Sequence, residues 1–194
     1  IGNTDICQQC PGDQYQDLTG QTACKDCDAT RTNKHLGQTS VQACECREGY
    51  EQLVDDANLA CSACNPGFYK TDHGDFLCSR CDIGTFASTS QATACLDCSS
   101  ESPTSGANTT ISDAADNVNL CVCYAGYFQD ANECKQCVRG TYKSTKGMQA
   151  CDFCGKDATL HHYGKDEIGA TSITHCVPCP DNPGQLQTLV GLSY

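Results

Sequence analysis

The chain has 194 residues with 24 acidic and 12 basic side chains, a formal charge of −12, twenty cysteines, no Trp, one Met and five Phe. That charge argues against nucleic acid or an anionic membrane surface as partner, since both require clustered Lys and Arg. The shortage of large apolar residues excludes a single conventional core, and cysteine at about a tenth of the residues is the composition of a secreted disulfide scaffold.

In chain order, the cysteines fall into ten close pairs: Cys7/Cys10, Cys24/Cys27, Cys44/Cys46, Cys61/Cys64, Cys78/Cys81, Cys95/Cys98, Cys121/Cys123, Cys134/Cys137, Cys151/Cys154 and Cys176/Cys179. Eight are C-x-x-C and two are C-x-C. The segments between pairs hold 13, 16, 14, 13, 13, 22, 10, 13 and 21 residues. They are of three kinds. The first begins Cys-x-x-Gly-x-aromatic, as at Cys64 to Tyr69, Cys81 to Phe86 and Cys137 to Tyr142; Cys10 to Tyr15 is the same with its Gly one place early. Glycine supplies a turn of unrestricted φ, and the following ring can fold over the cystine. The second kind is longer and more polar: Cys27 to Cys44, Cys98 to Cys121 and Cys154 to Cys176. The third follows a C-x-C pair, at Cys46 to Cys61 and Cys123 to Cys134.

This order repeats. It predicts three cysteine-rich units over residues 7–63, 64–136 (with an extra loop) and 137–194, the last incomplete at its C-terminus. Each loop has about one ring for its own cystine: Tyr15, Tyr50, Tyr69, Phe86, Tyr127 and Tyr142. That is the economy of a repeat protein. The predicted fold is small and disulfide-rich, an elongated tandem array of loops with short β-hairpins and almost no helix. Residues 113–119 and 165–168 are the candidate helical turns. An elongated particle would have a radius of gyration above the roughly 16 Å of a compact chain of this length, which solution scattering measures. No apolar run reaches membrane-span length. No signal peptide precedes Ile1, so the chain reads as a processed protein or a piece of one.

The stretches from Cys61 to Phe86 and from Cys24 to Tyr50 resemble the cysteine-rich repeats of ephrin receptors. The Cys44-Glu-Cys46-x-x-Gly49-Tyr50 element, repeated at Cys121 to Tyr127, also resembles the end of an epidermal-growth-factor-like domain, and the first-kind loops are similar to modules of tumour necrosis factor receptors. The resemblance implies an extracellular array and says little about partner. It also fits a sequential pairing: Cys10–Cys24, Cys27–Cys44, Cys46–Cys61, Cys64–Cys78, Cys81–Cys95, Cys98–Cys121, Cys123–Cys134, Cys137–Cys151 and Cys154–Cys176. This leaves Cys7 and Cys179 outward or unpaired, and makes the chain a segment of something longer. The rival interleaves consecutive pairs, one to three and two to four, and uses all twenty cysteines internally.

Paired C-x-x-C motifs also have zinc-knuckle spacing, Cys151/Cys154 most of all. The recurring Gly-aromatic signature and the C-x-C pairs favour disulfides over metal. A thioredoxin-like use needs a strand–helix context that is missing. The histidines, His35, His73, His161, His162 and His175, read as solvated loop residues. Asp55/Asp56 and Asp113/Asp116 are at most weak calcium ligands. No catalytic set, cofactor motif or metal site is expected. Asn108-Thr109-Thr110 is the one N-glycosylation sequon, in the longest polar loop.

The expectation is a non-enzymatic segment of an extracellular or cell-surface protein (a stalk, filament or matrix component) contacting other proteins, further modules of its parent chain or copies of itself. It takes no small-molecule substrate, and meets a membrane only through a segment outside this chain. The alternatives are a ligand-binding receptor ectodomain and a coat antigen of a single-celled eukaryote.

Overall fold

The computed structural model describes residues 7–52, 60–102, 104, 106–154, 162–164 and 168–178. Nine disulfides close nine consecutive loops, numbered here in order: Cys10–Cys24, Cys27–Cys44, Cys46–Cys61, Cys64–Cys78, Cys81–Cys95, Cys98–Cys121, Cys123–Cys134, Cys137–Cys151 and Cys154–Cys176. The chain divides into two compact units, one of residues 1–102 and 108–121, the other of residues 103–107 and 122–194.

One turn opens five of the loops. In loop 4, Asn65-Pro66-Gly67-Phe68 closes with Phe68 N–H donating to Asn65 O at 3.0 Å, and Gly67 takes φ +84°. Pro at the second place and a left-handed residue at the third are the signature of a type II turn. Loops 3, 5, 7 and 8 repeat it, with Gly49, Gly84, Gly126 and Gly140 at φ between +77° and +96°. Loop 1 solves the shifted glycine differently. Asp13, three residues after Cys10 like Gly67 after Cys64, takes the left-handed place at φ +64°, which Asp tolerates better than most side chains.

The residues after each turn enter a short antiparallel hairpin. Its partner strand runs beside or just beyond the closing cysteine, so the disulfide clamps the two arms. In the first unit Gln14–Tyr15 pairs with Lys25–Asp26, Arg31–Thr32 with Glu45–Cys46, Tyr50–Gln52 with Cys61–Ala63, Phe68–Tyr69 with Ser79–Arg80, and Thr85–Phe86 with Leu96–Asp97. In the second, Tyr127–Asp130 pairs with Glu133–Gln136, Thr141–Tyr142 with Asp152–Phe153, and His162–Gly164 with Cys176–Pro178. Two strands alone are marginal; the bridge supplies what a third strand would.

Helix is confined to one four-residue α-helix, Cys98–Glu101, and three 3-10 turns among the described residues: Val41–Ala43, Val118–Leu120 and Ile173–His175. Each 3-10 turn ends a second-kind loop. The helical turn expected over 113–119 is narrower and later, because Ala114 takes φ +51° and turns the chain away from helix before it. Residues 165–167 of the other candidate lie outside the described residues.

The core is mostly sulfur. Cys44, Cys46, Cys64, Cys81, Cys98, Cys121, Cys123 and Cys137 are buried, with Phe86, Ala87, Ala107, Ala115, Val122 and Ala170 filling between them. Of the six rings expected to cover their own cystines, Phe86 alone is buried; the five tyrosines are half-exposed. An amphipathic Tyr keeps its hydroxyl wet.

Candidate functional site

The places where consecutive loops lock together concentrate the buried polar chemistry of the molecule. Each lock starts with backbone. Gly74 N–H, in loop 4, donates to the carbonyl of Cys46, which opens loop 3, at 2.8 Å. Gly49 N–H answers by donating to Lys70 O at 3.0 Å. Cys64 N–H donates to Gly49 O at 2.8 Å. The same set recurs between loops 7 and 8: Gly147 to Cys123 O, Gly126 to Lys143 O, and Cys137 to Gly126 O.

Both junctions bury a lysine. Lys70 and Lys143 are 2% and 3% exposed, and each follows the aromatic of a first-kind loop that comes after a third-kind loop. Lys70 Nζ donates to the carbonyls of Tyr50 and Gly74, and Lys143 Nζ to those of Tyr127 and Gly147. Lys70 also lies 4.5 Å from the centroid of the Phe76 ring, a cation–π arrangement. Burial pushes both lysines below the ordinary lysine pKa. At Lys70 the carboxylates of Asp75, Glu45, Glu51 and Glu48 oppose that shift. The two first-kind loops that follow no third-kind loop here have Gln16 and Ala87 at this place. The lysine is therefore the mark of one junction type.

Loops 3 and 4 also exchange carboxylates. Asp75 Oδ1, from loop 4, accepts the Cys46 amide at 2.9 Å, and Glu51 Oε2, from loop 3, accepts the Cys78 amide at 2.8 Å. Arg31 Nη2 of loop 2 lies 3.8 Å from Asp75. Three loops thus share one charge cluster. Next to it an open cleft is lined by Asn33, Lys34, His35, Gln38, Glu45 and His73, with His73 Nε2 3.8 Å from Glu45. His35 and His73, read from sequence as separate loop residues, line this one recess.

Asp75 also falls beside Cys46 and Cys61 in a metal-like grouping. The two sulfurs are bonded to each other, so the group offers no thiolate. Cys151 and Cys154 are split between bridges to Cys137 and Cys176. Asp113 forms an exposed ion pair with Arg80 at 3.4 Å. Asp55, Asp56, His161 and Cys179 lie outside the described residues, and Cys7 is exposed with no disulfide partner among those described. Asn108 is exposed. Sequence reasoning missed Lys70, Lys143, Asp75 and Glu51; the one available signal was the recurrence of Lys after Gly-x-aromatic at two equivalent positions.

The surface beyond the junctions carries single exposed apolar side chains, among them Leu36, Leu77, Ile111 and Ile173. No helix among the described residues is long and apolar enough to cross a membrane. A disulfide array of this density belongs to an oxidising compartment.

The family model described as tyrosine-protein kinase ephrin type A/B receptor-like matches residues 2–44 and 126–176. No curated protein matches the chain. The matched segments contain loops 1 and 2 and loops 8 and 9, a first-kind loop followed by a second-kind loop in each case. The turn and the lock described above continue through residues 45–125, between the two segments.

Proposed function

We propose that this chain, whose residues 2–44 and 126–176 match the ephrin type A/B receptor-like family model, is a mechanical spacer and contact segment of an extracellular or cell-surface protein. Receptor-like cysteine-rich modules of this kind are extracellular protein-interaction units, and the spacer role is the finer reading. The observation that carries it is the repeated lock: the same amide-to-carbonyl set and the same buried lysine join loops 3 and 4 and loops 7 and 8. A binding site is built once, whereas this feature is built again at every junction of its type. Its product is fixed geometry between neighbours.

The covalent path supports the same role. From Cys10 to Cys176 a pull is carried through nine bridges with Cα–Cα distances of 5.4–5.8 Å, joined by links of one or two residues. Taut, that path is roughly 130 Å, against roughly 560 Å for the same chain without bridges, at about 3.4 Å per residue. Held between handles in an optical trap, the oxidised segment is expected to stay within the shorter bound and to lengthen towards the longer one only when reductant is added. A segment whose loops part at forces far below those that unfold ordinary domains would remove the mechanical role and favour a receptor ectodomain.

A further inference from the structure

The sequon Asn108-Thr109-Thr110 lies inside loop 6, and its three residues meet solvent very differently. Asn108 is exposed, while Thr109 and Thr110 are each 0% exposed. The Thr110 hydroxyl accepts the Gly84 amide of loop 5 at 3.1 Å and donates to Ser112 O at 2.6 Å. The Asn108 carbonyl is packed against the same turn: a Cβ built on Gly84 would lie 3.1 Å from it. Loop 6 is closed by Cys98–Cys121, and the Cys98 amide donates to Gly84 O at 2.9 Å.

We propose that Asn108 is an N-glycan acceptor that is open to modification only before loop 6 closes on loop 5. The sequon is defined by an amide and by a hydroxyl two residues later, so the modifying enzyme must reach both groups. In the folded loop it can reach the first alone. The co-reactant is a lipid-diphosphate-linked oligosaccharide. The Asn108 amide nitrogen forms a bond to sugar C1, the C1–O bond to diphosphate breaks, and its electron pair leaves with the lipid diphosphate. One amide proton passes to a base of the transferase. Once loop 6 is shut, the sugar projects outward from Asn108 while the recognition hydroxyl is sealed beneath it. Sugar addition and closure of Cys98–Cys121 thus compete for the nascent chain, and the order is sugar first.

The inference rests on passage through a secretory compartment, but its test does not. Chain made without sugar is offered to a purified oligosaccharyltransferase with a lipid-linked oligosaccharide, once oxidised and once reduced and alkylated. The reduced chain is expected to accept sugar at Asn108 at least ten-fold faster than the oxidised one. The paired variant C98S/C121S, with its other bridges formed, is expected to accept at a rate approaching that of the reduced chain. T110A is expected to block transfer in every form. Equal rates in oxidised and reduced chains overturn the ordering, as does a slow C98S/C121S chain. Failure of the reduced chain to accept sugar, or transfer to reduced T110A, overturns the acceptor site itself. None of these outcomes bears on the mechanical role.

Discussion

Three glycines do more than turn the chain. A Cβ on Gly49, Gly67 or Gly126 would collide with the backbone of Gln91, Ala114 or Gly169 respectively, in each case two loops further on. Gly20 is the control, left-handed at φ +73° with nothing within 4 Å of its would-be Cβ. Gly20→Ala is expected to cost about 1 kcal/mol, the price of the left-handed region alone. Gly67→Ala adds a backbone clash that no side-chain rotation relieves, and is expected to cost about 2–4 kcal/mol. Amide exchange at Ala114 and Lys70 reads the difference; similar loss of protection in the two variants would show that the close approach does not matter. The turn glycines were legible because the motif Gly-x-aromatic repeats in the sequence. What they face was not, since the opposing surface is backbone and leaves no side-chain signature.

At the scale of the element, the junction lysines replace an apolar plug with a donor. Their chains fill space beneath the hairpin, and Nζ satisfies carbonyls that the short ladders leave over. Lys70→Met keeps the volume and removes the donor, so the carbonyl of Gly74 loses its lysine partner; the expected cost is about 1–3 kcal/mol. Its signature is local, with faster exchange of the Gly49 and Gly74 amides and none at loops 1 and 2. Unchanged exchange at Gly49 would mean that backbone bonds alone hold the junction. The second-kind loops show the opposite balance. Each ends on a 3-10 turn whose preceding residue, Ser40, Asn117 or Ser172, accepts the amide two residues on with its side chain. Ser40→Ala is expected to cost about 1 kcal/mol, read from loss of protection at Gln42. Hairpins could be foreseen from Thr, Tyr and Phe after each glycine. The capped turns could not, because three residues carry no periodicity, and only the recurrence of Ser or Asn four places before the closing cysteine marks them.

For the molecule as a whole, pH acts through few groups, and in opposite directions. Asp13 is held below the ordinary carboxylate pKa, first by the Thr32 hydroxyl, then by the Asn33 amide and Arg47. Its contribution is present above the unfolded-state value and fades as pH falls through the folded one, so the contact between loops 1 and 2 should loosen in acid. Lys70 and Lys143 are depressed by burial. Between their folded pKa and the ordinary lysine value the unfolded chain holds more protons, so stability at these junctions should rise with pH across that window. Thermal melts followed by near-ultraviolet circular dichroism, with Cys7 and Cys179 alkylated to prevent exchange, test this. The K70M/K143M variant should lose the alkaline rise, and a rise that persists in it would assign the effect elsewhere. At this scale composition had already announced a cystine scaffold. The meeting of loops 3 and 5, of loops 4 and 6 and of loops 7 and 9 was hidden, because an array of cysteine spacings records which loops are consecutive and says nothing of how closely they stack.

The sequential bridges have a consequence for how such a chain can be broken. A peptide bond cut anywhere inside a loop leaves both new ends attached, since the cystine of that loop bypasses the nick. Between Cys10 and Cys176, a single cut separates the chain only if it falls in one of eight links, each only one or two residues long and pinned by a bridge on either side. A protease needs an extended segment several residues long, and these links offer none. Digested protein should therefore run as one species without reductant and fall into many fragments with it. Two cuts within one loop free only a cysteine-free peptide, so early release without reductant of fragments that carry a cysteine, from cuts between Cys10 and Cys176, would contradict this pairing or the protection of its links. A surface exposed to proteases can in this way accumulate damage in its loops and still remain one molecule.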